Sequence, residues 1–480
     1  MSFNSINFMI FFPIVVVVLF CIPKRIRLVW LLVVSYYFYM CWNPGYALFL
    51  AFSTVSTYIT GILLERAGGS KQKRLTIGLC CICNLGVLFL FKYSNFAIES
   101  LNYLLGLCGI KTVDYRFDLL LPVGISYYTF QAVGYIIDVY RGQAAEHNVV
   151  KYGLFVSFFP QLGAGPIERA SNMLGQFEEL QKRKLWDDER VKNGLLLILW
   201  GLFQKIILAD RLALYVDTVY GNYQEYGLTV LTAATVLLAF QIYCDFDGYT
   251  NMACGVAEVM GIKIMKNFER PYLATNIKEF WRRWHISLTS WFRDYLYIPL
   301  GGNRKGELRK NLNIFIVFCI SGLWHGASWN FVIWGAIHGI IQIIHNLYSS
   351  IRKKEKESFS SKLRNGIVTF AVVDFAWLFF YTGSLKEAFG IIGQMTSVLG
   401  DFSAIREVLG TGDRNLLFMG LIILFSVDIV HERGISIRQW VQKQEMWFRY
   451  ILYIGIICAC LYLGVQTGTD AARGFIYFRF

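Results

Sequence analysis

A chain of 480 residues that is 55% hydrophobic and only 16% charged is not a soluble globular domain, in which about 25% of residues carry charge. Its net charge of +13 does not call for nucleic acid, because Lys and Arg stand in short loops between apolar runs, where the positive-inside rule puts them. What remains is a protein that threads a bilayer many times.

A crossing needs roughly 18–20 residues with few charges. The first apolar run, Ile6 to Ile22, has no basic region ahead of it, and Pro23-Lys24-Arg25-Ile26-Arg27 follows in place of a small-residue cleavage site. It therefore reads as a transmembrane helix rather than a signal peptide. No charged residue occurs from Leu28 to Leu64, from Leu119 to Ile137, from Leu312 to Ser350 or from Tyr450 to Thr469. The expectation is an all-α polytopic membrane protein of about 11–12 transmembrane helices. Their starts fall near Ile6, Leu28, Tyr46, Leu75, Leu119, Gly194, Gly227, Leu312, Phe331, Gly366, Asn415 and Tyr450.

With the N-terminus outside, the inside loops hold Lys24, Arg25 and Arg27, then Arg66, Lys71, Lys73 and Arg74, then Lys182-Arg183-Lys184 and Arg352-Lys353-Lys354. The outside loops are poor in cations, which supports that orientation, and an even count puts the C-terminus outside too. Two inside segments, about 140–192 and 245–311, are too long for plain loops. The Pro160-Gln161-Leu162-Gly163-Ala164-Gly165-Pro166 stretch in the first cannot be a regular helix. Irregular backbone at membrane depth needs protein or water around it, so these segments read as re-entrant or interfacial helices lining a cavity. No internal repeat or soluble domain interrupts the chain. It reads as one domain, with N-terminal helices over 1–139, a core over 140–350 and C-terminal helices over 351–480.

Few residues can do chemistry. The eleven cysteines show no pair of CxxC motifs at zinc spacing, so neither a metal nor disulfides are expected. Among six histidines, His325 lies in the middle of a charge-free stretch, where an ionisable group is a functional candidate by default and histidine is the usual general base. Its plainer role is a hydrogen bond between helices. His285 follows Trp281-Arg282-Arg283-Trp284, where cations and aromatics alternate. That pattern suits an interfacial helix in contact with lipid or a basic mouth for an anionic cofactor. His338 could share a cavity with His325, and His147, His345 and His431 offer less. Asp245 and Asp247 read as the end of an apolar span at the interface. Lys205, Asp210 and Arg211 are expected to pair internally or to snorkel.

The stretch Trp281-Arg282-Arg283-Trp284-His285-Ile286-Ser287-Leu288-Thr289-Ser290-Trp291-Phe292-Arg293-Asp294-Tyr295-Leu296-Tyr297-Ile298-Pro299-Leu300-Gly301-Gly302-Asn303-Arg304 resembles the signature of the membrane-bound O-acyltransferases, in their bacterial alginate O-acetyltransferase branch. Gly322-Leu323-Trp324-His325-Gly326 resembles the same family's second histidine motif. Leu121-Pro122-Val123-Gly124-Ile125-Ser126-Tyr127-Tyr128-Thr129-Phe130-Gln131, Ser157-Phe158-Phe159-Pro160-Gln161 and Gln241-Ile242-Tyr243 extend the likeness along nearly the whole chain.

The resemblance implies a ring of helices around a funnel, with His325 as the tunnel histidine and His285 nearer the cytoplasm. It implies an O-acyltransferase that takes an acyl group, most simply acetyl, from a cytoplasmic thioester and passes it across the membrane to an extracellular or cell-wall polysaccharide. A secreted SGNH-hydrolase-type partner completes transfer in such systems. The donor would be acetyl-CoA or an acyl carrier protein, as substrate, with no bound cofactor. Arg282, Arg283, Arg293 and Arg304 are the candidate cations for it. The terminal Gly474-Phe475-Ile476-Tyr477-Phe478-Arg479-Phe480 resembles an aromatic tail whose tyrosine is held to carry the acyl group, here Tyr477; an interfacial anchor is the alternative. Two other functions stay open: acylation of a lipid or protein by the same superfamily, and transport of a lipid-linked saccharide, which would ask for internal repeats.

Overall fold

The computed structural model describes residues 1–351, 358–397, 411–463 and 475. Helices α1 (Ile6–Cys21), α2 (Arg27–Met40), α3 (Tyr46–Arg66), α4 (Ser70–Lys92), α5 (Ser94–Leu107), α6 (Ile125–Tyr140), α7 (Val149–Ser157), α8 (Phe159–Leu162) and α9 (Ala170–Leu180) come first. They are followed by α10 (Asp188–Leu202), a π-helical stretch (Phe203–Ala209), α11 (Asp210–Gly221), α12 (Leu228–Val259), α13 (Ile277–Arg283) and α14 (Ile286–Phe292). The last are α15 (Gly306–His325), α16 (Trp329–Ile351), α17 (Phe359–Tyr381), α18 (Leu385–Ser397), α19 (Thr411–Glu432), α20 (Ile437–Gln442) and α21 (Met446–Leu463). Helices α3, α4, α12, α16, α17, α19 and α21 contain spans long and apolar enough to cross a membrane. The protein is all-α and polytopic.

Several other expected spans form shorter or interrupted helices. Near Leu119 the chain stays non-helical until Ile125, because Pro122 has no N–H to give a helix and Gly124 is left-handed, with φ +75°. Helix α10 gives way to the π-helical stretch within the span expected from Gly194. The most informative correction concerns α12. Its 32 residues run through Asp245 and Asp247, so these carboxylates sit inside a helix and do not end one at the interface. Lys205 and Gln204 meet them there, which lowers the cost that an isolated charge would carry.

Two compact units divide the chain: residues 1–191, 257–265 and 326–328, and residues 192–256, 266–325 and 329–480. In the first, the buried stretch Phe155–Ile167 is the irregular segment foreseen around Pro160. Its polar backbone is met internally: the Phe155 carbonyl accepts from Gln131 Nε2 at 2.5 Å and from Gln161 Nε2 at 3.0 Å. A Cβ on Gly124 would stand 2.1 Å from the Leu162 carbonyl oxygen, so only glycine lets the start of α6 lie against the end of α8. Segment 257–265 docks on α9 through two bonds between Gln176 and Lys263, each 2.8 Å.

In the second unit, α15 and α16 form a close antiparallel hairpin. A Cβ on Gly322 would lie 2.0 Å from the Phe331 carbonyl oxygen, and one on Gly335 would lie 2.2 Å from that of Phe318. Small residues let backbones touch where no water drives helices together. This contact sets the position of the histidines that the two helices carry.

Candidate active site

His325 is the last residue of α15 and is buried. The rings around it include Trp324 at 5.0 Å, Trp334 at 5.2 Å, Phe380 at 5.4 Å and His285 at 6.2 Å between centroids. The enclosure draws on α15, on α16 through Trp334, on α17 through Phe380, and on the joint between α13 and α14 through His285. Sequence motifs put the two histidines in one family pattern, and the fold puts them in one place.

His285 is held in the left-handed region at φ +42°, which is uncommon outside glycine and costs of order 1–3 kcal/mol. Asn267 over-determines that conformation. Its carbonyl accepts from Ile286 N at 2.9 Å, and its Oδ1 accepts from Ser287 Oγ at 2.6 Å. The strained residue turns the chain between two short helices and leaves the imidazole against Phe246, 4.8 Å away. His338 belongs to the same cluster: Trp334 lies 5.0 Å from its ring and Trp281 4.9 Å. Trp334 is thus shared between His325 and His338. His147 instead pairs with Glu65 at 2.8 Å in the first unit.

The four candidate arginines differ in their surroundings. Arg283 is clamped: Nη2 lies 2.7 Å from Glu279 Oε1 and 2.8 Å from Glu432 Oε1, and Nη1 lies 2.9 Å from Glu432 Oε2. Arg270 Nε reaches the same Glu432 at 2.6 Å. These paired carboxylates hold the Arg283 guanidinium in its charged form, with the Glu432 bonds the largest cause. Arg282 and Arg304 are exposed. Arg293 is exposed and pairs with Asp294 at 2.8 Å.

A second polar cluster lies in the same unit. Lys205, on the π-helical stretch, is buried with its Nζ 2.5 Å from Asp245 Oδ1 and 2.9 Å from Asp210 Oδ1. Asp247 Oδ2 accepts from Gln204 Nε2 at 2.7 Å and from Asn251 Nδ2 at 3.0 Å. Arg211 pairs with Asp413 at 2.7 Å. The internal pairing foreseen for Lys205 is what forms. Phe475 is buried over this cluster, 4.6 Å from Lys205 Nζ and 4.4 Å from the Tyr249 ring. Tyr249 stands one helical turn beyond Phe246, the residue against His285. Tyr477 lies outside the described residues. Among the described residues no three His, Cys, Asp or Glu side chains stand together as a metal site would need.

Sequence reading missed the roof of the enclosure, Trp334, Trp377 and Phe380. Trp377 packs at a tilt against Trp284 at 4.9 Å and stacks on Trp334 at 5.7 Å. Trp377 and Phe380 share α17, a helix that showed only as an apolar span. Glu432 carried no motif either. The one local signal was the Gly335 and Gly339 pair on α16, spaced to mark a close-packed helix face.

Comparison with known proteins bears on this geometry. The model of the membrane-bound O-acyltransferase family matches residues 139–383, which include all three clustered histidines. A peptidoglycan O-acetyltransferase of Helicobacter pylori is 35% identical over 396 residues, covering 77% of this chain and 74% of its own. A probable alginate O-acetylase of Pseudomonas aeruginosa is 35% identical over 405 residues, covering 83% and 75%. A teichoic acid D-alanyltransferase of Bacillus subtilis is 29% identical over 282 residues, covering 55% and 69%.

Proposed function

The chain belongs to the membrane-bound O-acyltransferase family, and from that premise we propose that it passes an acetyl group from a cytoplasmic thioester, acetyl-CoA or an acyl carrier protein, across the membrane to an extracellular polysaccharide. The observation that carries the reading is the buried pair His325 and His285, 6.2 Å apart in an aromatic enclosure. His325 takes the proton of the acceptor hydroxyl. The hydroxyl oxygen bonds to the acyl carbon, the carbon–sulfur bond breaks, and the proton ends on the leaving thiolate. The apolar walls keep water from competing for the thioester. His285, fixed by Asn267, orients the reacting groups.

The first acceptor of the acyl group is Tyr477. A free phenol has a pKa near 10, so at neutral pH it needs a base to become a nucleophile. Support comes from Phe475, two residues earlier in sequence, which is buried against Tyr249, on the helix that also carries Phe246, and against Lys205. Exposed Arg282 and Arg304 suit the phosphates of the donor. The second transfer, from Tyr477 to polysaccharide, is the work of a secreted SGNH-hydrolase-type partner. The named substrates of the relatives, peptidoglycan and alginate, favour a polysaccharide over a lipid or protein acceptor.

The test is acetate released by mild base from the extracellular polysaccharide of cells carrying His325→Ala or Tyr477→Phe, with thermal stability measured in detergent. Each variant should fold. His325→Ala should lose about 10²–10⁴-fold of its activity, as removal of a general base does, and Tyr477→Phe should release only background acetate. Normal acetylation by a folded His325→Ala protein would sink the mechanism. Normal acetylation by Tyr477→Phe would remove the carrier and leave direct transfer.

A further inference from the structure

Around His338 the second unit buries more hydrogen-bonding capacity than it satisfies. His338 is fully buried, Trp334 nearly so, and Trp281 is 8% exposed. Neither ring nitrogen of His338, nor the indole Nε1 of Trp281 or Trp334, has a hydrogen-bond partner among the described residues. The three rings touch: Trp281 and Trp334 lie 4.9 and 5.0 Å from His338, and 5.8 Å from each other. Their contacts are edge-to-face, which offers an N–H at most a weak bond to a ring face. A phenylalanine would fill the place of His338 without stranding two polar atoms. Leaving buried polar groups unmet costs their whole desolvation, so packing does not account for a histidine here.

The chemistry of the set names what would satisfy it. An indole N–H only donates, and a neutral imidazole always presents one N–H. Three donors carried on rings that touch one another inside an apolar enclosure suit a group that only accepts and gains negative charge as it reacts. Trp334 is in contact with His338 on one side and with His325, 5.2 Å away, on the other.

We propose that His338, with the indole N–H groups of Trp281 and Trp334, binds the carbonyl oxygen of the acyl group and holds the oxyanion formed during transfer. The inference rests on the reading of His325 as the base. When the acceptor oxygen attacks the acyl carbon, the carbonyl π electrons move onto the carbonyl oxygen and these donors hold its charge. The electron pair returns to the carbonyl as the carbon–sulfur bond breaks, and the proton taken by His325 goes to the thiolate.

His338→Phe and His338→Gln decide it, assayed in cells by polysaccharide-bound acetate and, after purification, by acetyl-CoA binding and thermal unfolding. His338→Phe should unfold no earlier than the parent and bind acetyl-CoA within about threefold, because ground-state affinity depends little on an oxyanion donor. It should lose on the order of 10²–10³-fold in transfer. His338→Gln, which keeps an N–H, should recover a substantial part. A folded His338→Phe protein with parental transfer overturns the proposal, and so does a glutamine variant as inactive as the phenylalanine one. Should His338→Phe fail to fold, Trp334→Phe and Trp281→Phe each delete one donor and keep an aromatic ring. Each should lose about tenfold or more, and parental transfer by both overturns the proposal. Loss in His338→Phe beside full activity in His325→Ala would reject the base and not the donor set. The reverse pattern would reject only the donor set.

Discussion

Arg282 and Arg283 are neighbours that the sequence cannot tell apart, and the structure gives them different partners. Arg283 spans Glu279 and Glu432, and Arg282 stands exposed. Hydrogen bonds to charged groups contribute about 1.5–3 kcal/mol each where they are shielded, and this clamp is only partly shielded. Arg283→Gln is therefore expected to lower unfolding stability by about 2 kcal/mol, leaving Glu432 half-matched by Arg270. Arg282→Gln and Arg304→Gln should leave the melting temperature in place and weaken acetyl-CoA binding. The binding lost should shrink as salt rises, because screening already weakens an exposed cation's attraction for phosphate. Thermal unfolding and donor titration at two ionic strengths separate the roles. An unchanged donor affinity in the Arg282 and Arg304 variants would return them to lipid contact. His285 teaches the same lesson at the backbone: its motif was legible, but its left-handed conformation and the Asn267 brace depend on a residue eighteen positions earlier.

Between α15 and α16, the position of the chemistry depends on two glycines. A methyl group at Gly322 would meet the Phe331 carbonyl at 2.0 Å, so the hairpin has to open. Gly322→Ala should cost about 1–3 kcal/mol, as overpacking does, and should reduce acetylation on the order of 10²-fold, because small misplacements of reacting groups are that costly. Melting temperature and bound acetate report the two effects; an alanine variant with parental values for both would mean that the hairpin does not set the site. In the first unit, Glu168 ties the loop before α9 to segment 257–265, accepting from Asn172 Nδ2 at 2.8 Å and from Met265 N. It lies outside the membrane-spanning helices, and burial raises its pKa from 4.5 to about 7. The folded value is above the unfolded one, so the stabilising contribution is full below pH 4.5 and is lost as pH rises through about 7. The melting temperature should fall between pH 5 and pH 8, and Glu168→Gln should remove part of that fall. Parallel profiles for parent and variant would reject the assignment.

The cation-rich loops between the early helices support an N-terminus outside, and carriage of the acyl group by Tyr477 requires the tail to end on that side. None of the eleven cysteines is in a disulfide, so they can be replaced before single cysteines are introduced. Labels beside Met1 and beside Phe480 should react from outside in intact cells. Reaction of either only after permeabilisation would reverse the topology and remove the basis for Tyr477 as carrier.

By itself the sequence determined that this is an all-α membrane protein and that the stretch around Pro160 is irregular, and it singled out His285 and His325 as candidates. Each of these is a local property. Hydropathy belongs to a window of residues, and a motif or a proline acts where it stands. The tertiary structure alone decided that His325, His285 and His338 share one aromatic enclosure, that Arg283 is clamped by Glu432, and that Phe475 is buried over Lys205. It also overruled the window at Asp245 and Asp247, where α12 runs on through two carboxylates that sequence reading took for a helix end. A carboxylate's cost in the membrane depends on what faces it. Lys205 and Gln204, about forty residues away on another helix, are invisible to any window.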